Sequence, residues 1–215
     1  MIGLLFSPFQ LSLAASIQKT QWFDRFFSPP KKIIIIDAGH GGTEPGSVKQ
    51  GIQEKDINLQ IALQLQKRLE AKGYKVVMTR DDDTAISLKN RAKLANQAKG
   101  DLLISIHQNS FRDASVHGIE VYYNSDKTTN DQQLAQMIQE SLINETGAKN
   151  RGIHSDNGLV VTRETIMPAV LVETAFISND DELDLIMSDD YQNKVVKGIV
   201  VGIEEFLNEL DRNPE

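Results

Sequence analysis

The sequence predicts a single α/β domain, a mostly parallel twisted sheet of about six strands with helices on both faces. Three observations predict it. From Lys32 onward, short strand-like apolar runs alternate with stretches whose apolar residues recur at helical spacing. The run Ile33-Ile34-Ile35-Ile36 has no polar position, as a parallel strand buried on both faces requires. Two of the chain's four histidines stand at the ends of such runs, where an open α/β sheet gathers its functional groups.

The elements follow in order. Residues 33–37 form the first strand, and a Gly-rich loop runs from Gly39 to Gly51. Ile57, Ile61, Leu65 and Leu69 recur every fourth residue, so 56–71 reads as an amphipathic helix ended by Gly73. Residues 75–79 are the next strand. Ser87 then caps a helix carrying Leu88, Arg91, Leu94, Ala95 and Ala98, with Gly100 as its stop. The strand 102–107 ends in His107, and 118–123 alternates like an edge strand. Leu134, Ile138 and Leu142 place a helix over 131–146, and 159–162 and 169–173 read as strands. Asp180-Asp181-Glu182 suits the first turn of a helix, where the dipole favours acids. Val195, Ile199, Ile203, Phe206 and Leu210 mark a last helix over 191–210.

A chain of 215 residues is long enough for one domain with a real core. Residues 1–31 lie outside the alternating pattern. The apolar start, residues 1–16, ends in small residues like a secretory signal, yet has no early Lys or Arg and is interrupted by Pro8 and Gln10. It reads equally as a loosely packed leader, and it is too short to span a bilayer. Pro29-Pro30-Lys31-Lys32 is a linker into the domain, which occupies 32–215. A net charge of −7 argues against nucleic acid as a partner. With no cysteine, disulfides, thiolate metal sites and cysteine nucleophiles are excluded. A transition metal would need histidine, carboxylate and water, a set that suits catalytic zinc.

His40 follows Asp37-Ala38-Gly39, His107 follows Ser105-Ile106, and the apolar run Ala169-Val170-Leu171-Val172 ends in Glu173. Two imidazoles and a carboxylate at one sheet edge suggest a metal hydrolase. Singly, either histidine can be a core or capping residue; together at strand ends they favour ligation. A third ligand should be a carboxylate from a nearby loop, and Glu54 is placed for it. On spacing alone Glu54 reads equally as an acid favoured by a helix N-terminus. Glu173 can serve as base and then acid, its pKa raised by partial burial, or it can turn into solvent. Asp37 and Asn109 either orient the ligands by hydrogen bonds or cap loops. His117 and His154 are expected at the surface, outside any ligand set.

At this point the residues resemble a family. Asp37-Ala38-Gly39-His40-Gly41-Gly42, Glu54, Thr79-Arg80, Ser105-Ile106-His107-Gln108-Asn109 and the block from Pro168 to Asn179 resemble the zinc-dependent N-acetylmuramoyl-L-alanine amidases. The group is the AmiA/AmiC/CwlV-like one (amidase type 3), and the resemblance covers residues 32–210. It implies that His40, Glu54 and His107 bind one catalytic zinc ion and that Glu173 is the catalytic carboxylate. It also implies hydrolysis of the amide between the lactyl group of N-acetylmuramic acid and the L-alanine of the stem peptide. Gln108 departs from the family's usual Ala and, beside a ligand, is placed to alter substrate contacts; Glu44 departs from the family's usual Asp.

The expected partner is peptidoglycan, with an activator protein as an optional second one, and the expected state is a monomer with no stable membrane span. An open groove is expected, because 108–172 holds no obvious acidic plugging helix. Peptidoglycan places the enzyme in the cell envelope, periplasmic or extracellular; without a signal, it would stay cytoplasmic until lysis. Two other readings remain on the residues: a zinc peptidase or amidohydrolase acting on another amide, and a catalytically inactive wall-binding domain.

Overall fold

The computed structural model describes residues 31–212, so the leader and the first half of the linker lie outside the described residues. In chain order the strands are β1 (Ile33–Ala38), β2 (Val48–Lys49), β3 (Ile52–Gln53), β4 (Lys75–Met78), β5 (Leu102–Asn109), β6 (Ile119–Tyr123), β7 (Asn150–Ser155) and β8 (Ala169–Phe176). The helices are α1 (Glu54–Ala71), α2 (Leu88–Ala98), α3 (Asp131–Thr146), α4 (Val160–Glu164), α5 (Asp180–Ile186) and α6 (Asp189–Arg212).

Six strands form one sheet in the order β4-β1-β5-β8-β6-β7, and β2 and β3 pair as a small hairpin that closes the Gly-rich loop. The pairings β4-β1, β1-β5 and β5-β8 are parallel, β8-β6 is antiparallel, and β6-β7 is parallel again. The amino ends of β6 and β7 therefore lie at the same sheet edge as the carboxyl ends of β1, β5 and β8. That single reversal decides what surrounds the site.

The larger core lies on one face. Ile34, Ile36, Leu102, Ile104, Ile106, Val170 and Val172 of the sheet pack there against three helices. The helices contribute Ile61 and Leu65 of α1, Leu134 and Ile138 of α3, and Ile199 and Phe206 of α6. The opposite face carries a smaller cluster of Ile35, Leu103 and Ala169 beneath Ala95 of α2 and Val161 of α4. Helices thus cover both faces, and on the second face α2 reaches the carboxyl end of β1 through Arg91.

Three sequence expectations are corrected. Residues 159–162 are not a strand: Val160–Glu164 is a short helix, because Asn157-Gly158 turns the chain and Thr165 closes the turn through hydroxyl bonds to the carbonyls of Val161 and Thr162. The sixth strand is instead Asn150–Ser155, which includes His154. Its polar residues, and Gly152 at φ +85° beside a register irregularity, hide it from a pattern search. The strands ending in His107 and Glu173 also run on, to Asn109 and Phe176.

Candidate active site

On the face away from the larger core, successive rungs of the sheet change character toward the carboxyl edge. Residues two apart on a strand share a face. The first rung is Ile35, Leu103 and Ala169, all apolar and buried. The second is Asp37, Ser105, Leu171 and Tyr122. The third is His107, Glu173 and Glu120.

Asp37 anchors the first loop. Its carboxylate accepts hydrogen bonds from Thr79 Oγ1 at 2.6 Å, Ser105 Oγ at 2.7 Å and Arg91 Nη1 at 2.7 Å. Burial pushes its pKa up, but the Arg91 charge and these donors outweigh burial and hold it below the usual value. Arg91 also donates to the carbonyls of Ala38 at 2.7 Å and His40 at 2.6 Å. Arg80 holds the carbonyl of Gly39 at 2.9 Å and that of Lys55, in the first turn of α1, at 2.8 Å. These contacts fix His40 at φ 60°, a left-handed conformation that costs a non-glycine residue on the order of 1 kcal/mol. Asp37 therefore reaches His40 through Arg91.

Glu54 opens α1 with its carboxylate turned back over the loop. Oε2 accepts from the Ser47 amide at 2.9 Å. Oε1 lies 2.9 Å from His107 Nδ1 and 3.3 Å from His40 Nε2, and also accepts from Asn58 Nδ2 and the Gln108 amide, each at 3.2 Å. Burial raises its pKa, yet hydrogen bonds and charge from His107 and His40 prevail and leave the carboxyl far below the ordinary range. The helix-terminus reading and the ligand reading of Glu54 are compatible in this geometry. Two glycines make room: a Cβ on Gly39 would come 2.3 Å from the His107 ring, and one on Gly46 would come 2.5 Å from Glu54 Oε2.

His40, Glu54 and His107 each offer a ligand atom, and these atoms lie within 4.8 Å of one another. Two imidazoles and one carboxylate in that space fit the donor set of a catalytic zinc site. Glu173 stands opposite His107 in register, and its Oε2 is buried with no hydrogen-bond partner among the described residues. Burial first, then the charges of Glu54 and Glu120, raise its pKa well above the usual value. A strand-terminal glutamate turned into solvent does not describe it.

Other expected residues fall elsewhere. Asn109 does not touch a ligand candidate; its Nδ2 donates to Glu120 Oε1 at 2.6 Å and its Oδ1 accepts from the Ser110 amide. Gln108 is buried on the opposite side of β5 from His107. It bonds Asn58 and Thr174, so it braces Glu54 rather than facing a substrate. His117 bonds the Ser115 carbonyl, and His154 Nε2 lies 3.7 Å from Glu120. Glu182 does more than charge a helix start: it accepts from the amides of Gly118 and Phe176 and ties β6 to β8. Sequence reasoning misses Glu120 and Arg91 as functional residues. The signal for Glu120 is an acid within an alternating strand; only the antiparallel pairing sets it beside Glu173.

The profile of the Amidase_3 family, N-acetylmuramoyl-L-alanine amidase, matches residues 34–205. The N-acetylmuramoyl-L-alanine amidase LytC of Bacillus subtilis (strain 168) is 36% identical over 174 residues, 80% of this chain and 35% of LytC. A crystal structure of an N-acetylmuramoyl-L-alanine amidase from Clostridium difficile 630 superposes with a TM-score of 0.81 at 38% identity, covering 84% of this chain and 98% of that one. The CwlD amidase from Clostridioides difficile, solved in complex with the GerS lipoprotein, gives a TM-score of 0.80 at 32% identity over 83% of this chain and all (100%) of that one. The chain belongs to the N-acetylmuramoyl-L-alanine amidase family, and its activity is that of a peptidoglycan amidase.

Proposed function

We propose that this amidase is zinc-dependent, with His40, Glu54 and His107 as metal ligands and Glu173 as the catalytic carboxylate. One observation carries the reading: both imidazoles converge on Glu54 Oε1, while Glu173 Oε2, opposite His107, is buried without a partner among the described residues. Zinc, when bound there, supplies Lewis acidity that polarises a carbonyl and makes water nucleophilic near neutral pH.

The rest falls to the chain's own residues. Glu173 takes the proton of the attacking water at its carboxylate and returns it to the leaving alanine nitrogen. Its raised pKa suits a group that must hold that proton between the two steps. Asp37 and Arg91 keep His40 in place through its carbonyl, and Gln108 and Asn58 keep Glu54 turned toward the histidines. The bond cut is the amide between the lactyl group of N-acetylmuramic acid and L-alanine.

Peptidoglycan lies outside the cytoplasmic membrane, so the enzyme works in the envelope, periplasmic or extracellular. Among the described residues no helix is long and apolar enough to cross a membrane. We take the groove as open and the enzyme as an active monomer; a partner like the one in the CwlD–GerS complex would be an added layer of control. The test is digestion of purified sacculi by wild type and Glu173→Ala, with and without a chelator. Chelator and substitution should each lower release of stem peptides beginning with free L-alanine by at least about 100-fold. Undiminished release by the variant would remove Glu173 from the mechanism.

A further inference from the structure

Beside Glu173, at the edge formed by β6 and β7, the half-buried Arg151 is held in an unusual way for a surface arginine. Its Nε donates to Glu120 Oε2 at 2.7 Å, and its guanidinium carbon sits 4.9 Å over the ring of buried Phe176. Glu120 itself is locked by Asn109 Nδ2 at 2.6 Å and the Tyr122 hydroxyl at 2.8 Å. Among the described residues, Arg151 Nη1 and Nη2 donate no hydrogen bond. The fork is thus anchored at one nitrogen and stacked on one face, with its two terminal nitrogens spare.

We propose that Arg151 forms a carboxylate-binding subsite that recognises the stem-peptide residue following the scissile alanine. The proposal rests on the amidase reading and adds to it. An acid that protonates the leaving nitrogen must face the peptide side of the bond, so the peptide leaves past Glu173 rather than past His40. Glu120 pairs with Glu173 across the ladder, where facing side chains start about 5 Å apart, and it holds Arg151 on its far side. Residues of an extended peptide advance by about 3.5 Å each, so the residue after alanine comes within reach of the fork. A planar fork with two free donors matches a carboxylate and not a carboxamide, which offers one acceptor oxygen. In the stem, that second residue is a glutamate linked through its side chain, and its α-carboxyl is either free or amidated.

The experiment compares N-acetylmuramoyl-L-alanyl-D-glutamate with its α-carboxamide, N-acetylmuramoyl-L-alanyl-D-isoglutamine, using wild type, Arg151→Gln and Arg151→Lys. Wild type should favour the acid by about tenfold in kcat/KM, a modest ratio because Glu120 already offsets part of the charge. Arg151→Gln should bring the ratio to about one, and Arg151→Lys should fall between. A brace that only supports the fold would lower both rates and leave their ratio unchanged, and that result would overturn the proposal. Equal rates for wild type, or refusal of the acid form while sacculi are still digested, would overturn it too. Sacculi left intact by wild type would instead contradict the amidase reading.

Discussion

Glu54 and Glu173 stand at one sheet edge and have opposite surroundings. Glu54 is saturated with donors: two imidazoles, an amide side chain and two backbone amides. Glu173 has a buried oxygen with no partner among the described residues and two other carboxylates for company. The same side chain is therefore held ionised in one place and pushed toward its neutral form in the other. The lesson is that role follows environment: a carboxylate fixed in charge suits a ligand, and one free to exchange a proton suits acid–base work.

The largest expected effect tests that contrast by the same substitution at both positions. Glu54→Ala strands the Gln108 and Ser47 amides and Asn58, and should cost about 2–4 kcal/mol in chemical denaturation. Glu173→Ala removes a half-buried carboxylate that has no hydrogen-bond partner among the described residues, and should stay within about 1 kcal/mol of wild type. Equal losses would erase the distinction.

Zinc sharpens it next. At zinc concentrations about 100 times the dissociation constant, wild type and Glu173→Ala should each gain about 2.7 kcal/mol, visible as a higher melting temperature. Glu54→Ala should gain far less. A full gain there would remove Glu54 from the ligand set.

The smallest effect is the pH dependence of the metal-free protein. Glu54 has a folded pKa below its ordinary value of 4.5, so its stabilisation is present above that pH and is lost as pH falls through the folded pKa. Glu173 has a folded pKa above 4.5, so its contribution is present below that pH and is lost as pH rises through the folded pKa. Glu54→Gln should melt increasingly below wild type as pH rises toward 4.5 and keep that gap above it, whereas Glu173→Gln should melt increasingly above wild type as pH rises past 4.5. Each kcal/mol moves the midpoint of a domain this size by about 2–4 °C. Curves parting in the same direction would contradict the assignment.

Much of this is legible in the chain. The unbroken run Ile33–Ile36 and the four-residue spacing of Ile57, Ile61, Leu65 and Leu69 fix β1 and α1 because burial on a regular element leaves a regular trace. His40, His107 and Glu173 are visible as polar groups at the ends of apolar runs, and Glu54 as an acid at the mouth of a helix. What stays hidden depends on contacts between distant segments. Asn150–Ser155 has no apolar rhythm and joins the sheet by pairing with β6. Arg91 and Arg151 take their roles from partners 54 and 31 residues away, Asp37 and Glu120. Gln108 looks like a substrate contact in sequence because it adjoins His107, but strand alternation turns it inward.

The central claim is most directly tested by diffraction from zinc-loaded crystals, recorded on both sides of the zinc absorption edge. The expected result is one strong anomalous peak bonded to His40, Glu54 and His107, with Glu173 beside it and outside its ligands. A peak elsewhere, or zinc held by Glu173 in place of Glu54, would contradict it.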